Sequence, residues 1–140
     1  MNRIRSDNEN YTLRVLHVDD DLNQLYFTKL FLEEFDSRLS VESIMHPLVA
    51  MKVLLEKKYD CLISDYQMDE MDGIALTRRV RGTSDVPIII YTGRGSEEVE
   101  EVARAAGADR YVQKETDPKH YRGLYTQICG VVREKMNGTI

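Results

Sequence analysis

The chain has 140 residues, enough for one domain with one real core. Its composition, 42% hydrophobic and 31% charged, excludes a disordered or collagen-like chain, and a net charge of −5 argues against a nucleic-acid surface as its main business. No apolar run approaches the roughly 18 residues needed to span a bilayer, and the polar stretch Met1 to Thr12 lacks the apolar core of a secretion signal.

Residues 1–12 read as a flexible leader, 13–136 as one domain and 137–140 as a tail. Val15–Val18 is a short continuous apolar strand. A helix follows from Leu22 to Phe35, with Leu22, Leu25, Leu32 and Phe35 as its stripe and Leu30 and Phe31 broadening it. Ser40–Met45 alternates weakly, as a strand would. Pro47 suits a helix start, and Leu48, Met51, Leu54 and Leu55 give that helix its face. Tyr59–Ser64 is the third strand, and Gly73 opens a short helix through Arg81 that Gly82-Thr83-Ser84 breaks.

Pro87–Tyr91, with its run of isoleucines, suits a strand buried on both faces. Ser96 begins a helix with a stripe of Val99, Val102, Ala103 and Ala106, which Gly107 ends as a C-terminal cap. Asp109–Gln113 is the fifth strand. Asp117 then caps a last helix with Pro118 at its first position, and Tyr121, Leu124, Tyr125, Ile128 and Val132 recur at helical spacing. Strict β-α alternation of this kind implies a doubly wound parallel sheet covered by helices on both faces. Cys61 and Cys129 fit no zinc or redox spacing and read as buried reduced thiols, which favours a cytoplasmic setting.

The polar residues at the strand ends carry the chemistry. Asp19 and Asp20 follow the first strand, Asp65 the third, Thr92 the fourth and Lys114 the fifth. In a parallel sheet these ends share one edge, where open α/β folds place their sites. Three carboxylates gathered there repel one another, which raises at least one pKa. A hard divalent cation resolves the conflict: Mg²⁺ takes oxygen ligands, binds by one or two carboxylates and keeps waters for a phosphate to replace. Lys114 adds a positive charge and Thr92 a neutral donor, a set suited to a phosphoryl group whose charge spreads over three oxygens. A carboxylate can itself be the nucleophile and become an aspartyl-phosphate. His17, His46 and His120 are dispersed and read as ordinary packing or surface residues.

Four segments in order resemble the receiver domain of response regulators, the phosphoaccepting half of two-component signalling. They are Val15-Leu16-His17-Val18-Asp19-Asp20-Asp21, Asp65-Tyr66-Gln67-Met68-Asp69-Glu70-Met71-Asp72-Gly73, Pro87-Ile88-Ile89-Ile90-Tyr91-Thr92-Gly93 and Gly107-Ala108-Asp109-Arg110-Tyr111-Val112-Gln113-Lys114. Thr92-Gly93-Arg94-Gly95 and Gln113-Lys114 look like receivers common in methanogenic archaea. The resemblance implies a flavodoxin-like (βα)5 fold of the CheY-like kind, with strand order 2-1-3-4-5. It implies Asp65 as phosphoacceptor, and Mg²⁺ held by Asp20, Asp65 and the main-chain carbonyl of Gln67, with Asp19 nearby. Lys114 would pair with the phosphoryl oxygens, Thr92 would move to hydrogen-bond them, and Tyr111 would swing inward as the second switch residue.

The implied partners are a sensor histidine kinase or phosphotransfer protein as donor, and a downstream protein on the face of the fourth helix, fifth strand and fifth helix, which also serves receiver homodimers. Neither nucleic acid nor membrane is implied as a direct partner. The domain would be no separate enzyme but a phosphoacceptor that assists its own phosphorylation and dephosphorylation, either freestanding or cut from a longer protein.

Three departures from the family pattern stand out. Asp69 and Glu115 replace prolines, and a trans peptide is expected before Glu115 because a cis bond there would cost about 2.5–4 kcal/mol. Asp69 reads as a solvated turn acid, at the cost of a proline's hold on the loop. Gln67 and Arg94 occupy positions that tune phosphoryl lifetime. Two other readings compete. In a haloacid-dehalogenase-type phosphatase, Asp19 would be the nucleophile and Asp21 the acid/base, but the chain is short for that fold, Asn23 stands where Thr or Val is expected and a late acidic pair is missing. A pseudo-receiver signalling by binding alone would be expected to lack Asp20, Asp65 and Lys114, which are present.

Overall fold

The computed structural model describes residues 11–138, so most of the proposed leader and the last two residues of the tail lie outside the described residues. Ten elements alternate: β1 Leu13–Val18, α1 Leu22–Phe35, β2 Leu39–Ile44, α2 Pro47–Glu56, β3 Cys61–Ser64, α3 Gly73–Arg81, β4 Ile88–Thr92, α4 Glu97–Ala106, β5 Arg110–Gln113 and α5 His120–Met136. The strands form one parallel sheet in the order β2-β1-β3-β4-β5, the expected flavodoxin-like order. Alternate residues of the central strands feed two cores. Leu13, Val15, Ile63, Ile89 and Tyr91 pack towards α1 and α5, whereas Leu16, Val18, Leu62, Ile88 and Ile90 pack towards α2, α3 and α4. β3 and β4 are buried along their whole length, which is why they read as unbroken apolar runs.

Three helices and one helix start differ from the sequence expectation. In α1 the apolar stripe is Leu25 and Leu32 around a buried Thr28, whereas Leu22 and Leu30 are 65% and 43% exposed. Leu48 and Leu55 of α2 and Val102 of α4 are likewise exposed, because Pro47 with Ala50, and Ala103, supply the contact faces. A helix here needs only a narrow stripe against a sheet, so surplus apolar residues end on its outer side. The last helix begins at His120, not at Pro118. Asp117 does accept a side-chain hydrogen bond, from the Lys119 N–H at 3.0 Å, but the chain first makes a tight turn in which the N–H groups of His120, Tyr121 and Arg122 each reach back three residues.

The outer edge of β2 is closed by α1. Glu33 accepts the Val41 N–H at 2.8 Å and Lys29 donates to the Val41 carbonyl at 2.8 Å, so an ion pair on one helix occupies the free backbone groups of an edge strand. At the opposite rim from the site, Arg81 ties α3 to the next two connections. It donates to the carbonyls of Gly107 (3.0 Å) and Val86 (2.6 Å) and to Asp109 (2.8 Å), which also accepts the Ile88 N–H. Removing the guanidinium leaves two carbonyls without their donor and a largely buried carboxylate without its counter-ion, with only the Ile88 N–H still bound to it. Arg81→Ala is therefore expected to lower the unfolding free energy by about 2–3 kcal/mol. Urea denaturation measures this, and a loss under roughly 0.5 kcal/mol, the range of ordinary surface changes, would show that the clamp carries little.

Candidate phosphoryl-transfer site at the carboxyl edge of the sheet

The acids arrive on two adjacent strands. β1 pairs with β3, and the Asp65 N–H continues that pairing by donating to the Val18 carbonyl at 3.1 Å. Ligand-capable oxygens of Asp19, Asp20 and Asp65 all lie within 4.8 Å of one another, which brings the three predicted acids into one cluster. Adjacent residues at a strand end both reach it because the chain turns: Asp19 Oδ1 accepts the Asp21 N–H at 3.0 Å, and the Asp21 carboxylate caps α1 through the N–H groups of Asn23 and Gln24. That bond pair engages Asp21 as the N-cap that starts α1, which disfavours its use as the acid/base of a phosphatase.

Asp19 is fully buried, and Lys114 reaches it across the sheet, with Nζ 2.7 Å from Asp19 and 3.4 Å from Asp65. Burial raises the Asp19 pKa above the ordinary carboxylate range; Lys114 opposes the shift and Asp65 adds to it. Thr92 is buried at the end of β4, and its hydroxyl accepts the Arg94 N–H at 3.1 Å. The four strand ends bound a cleft of about 510 Å³ lined by Asp20, Asp65, Gln67, Asp69, Arg94 and Lys114 among others.

The loop after β3 is shaped closely. A Cβ at Gly73 would lie 2.1 Å from the Asp65 carbonyl oxygen, so glycine is required where α3 begins against the acid's own backbone. Asp69, in the place of the family's proline, uses the N–H that proline lacks to donate to Asp20 Oδ2 at 3.0 Å. Glu70 then takes φ 75°, and the Met71 N–H closes a three-residue turn onto the Asp69 carbonyl at 2.8 Å. Gln67 lines the cleft, and its side-chain oxygen accepts from Arg94 at 3.3 Å, a bridge across the mouth between the two positions singled out together in the sequence.

Tyr111 is the residue expected to swing inward on phosphorylation. It already lies inward, its hydroxyl buried and so close to Gly95 that a Cβ there would fall 1.2 Å away. Sequence reasoning assigned Tyr91 no role and His120 only that of an ordinary packing or surface residue. The Lys114 ammonium sits 5.5 Å above the Tyr91 ring centroid, and the Tyr91 hydroxyl is hydrogen-bonded to His120 Nε2. A tyrosine where β4 otherwise carries isoleucine was the available signal. His17 packs as expected, fully buried, with both ring nitrogens unpaired; burial first and Lys114 second push its pKa down to about 3.

The family described as the response regulator receiver domain matches residues 15–124, and the chain belongs to it. The chain is thus a receiver domain of two-component response regulators, a class of phosphoacceptors. It is similar to an uncharacterized transcriptional regulatory protein, YclJ, of Bacillus subtilis, at 29% identity over 86% of this chain and 51% of that protein. It is also similar to a cyclic di-GMP phosphodiesterase response regulator, RpfG, of Xanthomonas campestris, at 29% identity over 88% of this chain and 33% of that protein. The chain thus spans about half or less of the length of these relatives. Among solved structures, the receiver domain of Francisella response regulator 1452 shares the fold with TM-score 0.79 at 23% identity, over 89% of this chain and 99% of that one. Thermotoga maritima TrrA, solved in complex with Mg²⁺-BeF, gives TM-score 0.70 at 25% identity, over 82% and 97%. Among the described residues no helix is long and apolar enough to cross a membrane.

The raised Asp19 pKa has a definite sign. The native state holds that proton more tightly than the unfolded chain, so in metal-free protein this group costs stability as pH rises above the unfolded value of 3.8 through the raised native value. Asp19→Asn removes the cost while keeping an acceptor for Lys114. Without metal, the variant is expected to be more stable than wild type at pH 7, with the advantage shrinking as pH falls towards 3.8, as paired urea titrations across pH would show. A variant less stable than wild type at pH 7 would mean that the Lys114 ion pair outweighs burial.

Proposed function

We propose that residues 13–136 form the receiver unit and that Asp65 is its phosphoacceptor. The single observation that carries this is the convergence of Asp19, Asp20 and Asp65 within 4.8 Å beside the Lys114 ammonium, at the mouth of an open cleft. Asp20 and Asp65, with the main-chain carbonyl of Gln67, would hold Mg²⁺, and Asp19 would act from behind them. The donor set supports this, since hard oxygen ligands on a partly open rim suit a cation that keeps several waters. The Mg²⁺-BeF complex of TrrA is a parallel in a protein of the same fold. Bound there, the metal would neutralise charge on the phosphoryl oxygens.

A carboxylate oxygen of Asp65 attacks the phosphorus of a phosphohistidine on a sensor kinase or phosphotransfer protein. The P–O bond forms as the P–N bond breaks, and the imidazole nitrogen leaves and takes a proton. Lys114 balances the incoming charge, and Thr92 turns its hydroxyl from the Arg94 amide towards a phosphoryl oxygen. The donor must cover the cleft, and exposed Leu22, Tyr26, Phe27 and Leu30 of α1, which starts beside Asp21, give it an apolar landing surface. The changed charge is read on the α4-β5-α5 face by a downstream protein or a second copy, in a cytoplasmic setting.

Incubation with acetyl phosphate and Mg²⁺ is expected to add one phosphoryl group by intact mass in wild type and none in Asp65→Asn. Labelling that survives in Asp65→Asn contradicts the assignment. Metal alone should also be measurable. At ten times its dissociation constant, Mg²⁺ is expected to add about 1.4 kcal/mol to the unfolding free energy of wild type, and Asp20→Asn should lose that gain.

A further inference from the structure

Lys114 stands on a flexible four-carbon stem, and the family's restraint on the loop after it is missing, because Glu115 stands where proline would be. The described residues contain no cis peptide. The ion pairs of Lys114 with Asp19 and Asp65 hold the ammonium among the acids, so something else must fix the lysine for it to meet a phosphoryl group in one geometry. Its backbone is held by the N–H bond to the Thr92 carbonyl at 2.9 Å. Its side chain crosses the face of the fully buried Tyr91 ring, the residue before Thr92 on β4.

The far end of that ring is anchored too. His120 Nδ1 lies 2.8 Å from the Asp117 carbonyl, which can only accept, so Nδ1 carries the proton. Nε2 is then the acceptor in neutral His120, and the Tyr91 hydroxyl donates to it. The imidazole is itself wedged, with its centroid 4.2 Å from the Tyr121 ring, which stacks at 4.8 Å on Phe31 of α1. A continuous set of contacts therefore runs from the turn after β5, through His120 and Tyr91, to the Lys114 ammonium.

We infer that Tyr91 and His120 are positioning residues for Lys114, taking over in this chain the restraint that a proline gives elsewhere. The inference rests on the phosphoacceptor reading of Asp65. Neither residue touches the acids; they act by holding the platform on which the ammonium lies. Misplacing a catalytic group costs rate out of proportion to the distance moved. Neither Tyr91 nor His120 contacts the metal ligands, so cation binding should not weaken, and a lysine moved away from Asp19 and Asp65 can only favour it.

The test compares wild type with His120→Phe, which keeps the ring packing and removes both hydrogen bonds, and with His120→Gln, which keeps an acceptor near Nε2. Acetyl phosphate is the donor, and Mg²⁺ affinity and the Lys114 ammonium NMR signal are read in parallel. His120→Phe is expected to label about tenfold more slowly. Its Mg²⁺ affinity should not fall and its Lys114 signal should move towards that of a solvated lysine, with His120→Gln restoring most of the rate. Wild-type labelling and an unmoved Lys114 signal in His120→Phe would overturn the inference, as would a fall in Mg²⁺ affinity equal to the fall in rate. Should His120→Phe not fold, Tyr91→Phe removes the same hydroxyl contact while keeping the ring, and carries the same expectations. If wild type itself takes no label, the phosphoacceptor reading fails, and the Lys114 signal alone decides whether the platform holds the lysine.

Discussion

The ion pair between Asp19 and Lys114 is the constraint on which the site depends. A fully buried carboxylate costs several kcal/mol if left alone, and here the compensating ammonium comes from a residue 95 positions away in sequence. Lys114 can reach Asp19 only because the strand order places the end of β5 on the same rim as the ends of β1, β3 and β4. Sheet topology, buried charge and chemistry are thus one problem. If the order or a register slips, the acid loses its partner.

The compensation is incomplete. One lysine stands against Asp19, Asp20 and Asp65, and burial still raises the Asp19 pKa. An excess of negative charge at an open rim is what a divalent cation relieves. On the proposed reading, Asp20 and Asp65 would hold a cation that relieves this excess, and Lys114 would then be available to an arriving phosphoryl group. The surrounding loops are fitted to that exchange: Gly73 lets α3 start against Asp65, the Asp69 N–H holds Asp20, and Arg94 meets Gln67 across the mouth.

Much of this was legible in the sequence because parallel sheets announce themselves. Unbroken runs such as Ile88-Ile89-Ile90 mark strands buried on both faces, and a polar residue that ends such a run must lie on the rim. What stayed hidden needs three dimensions. Leu22 and Leu30 look like core residues until the width of the α1 contact is known, and Thr28 does not look like one. Pro118 signals a helix start, but the tight turn closed by Asp117 delays it to His120. Asp69 reads as the loss of a proline, although its consequence is a gained donor onto Asp20. Tyr91 and His120 lie 29 positions apart, and nothing in either segment alone points to the other.

A crystal structure of the protein with Mg²⁺ and beryllium trifluoride tests the central claim most directly, because the fluoride cluster copies a phosphoryl group on a carboxylate. The account predicts the cluster on Asp65 and Lys114 Nζ displaced from Asp19 to roughly 3 Å from a fluorine, an ordinary charge-assisted distance. A cluster bound elsewhere, or one on Asp65 with Lys114 still paired to Asp19, would contradict it.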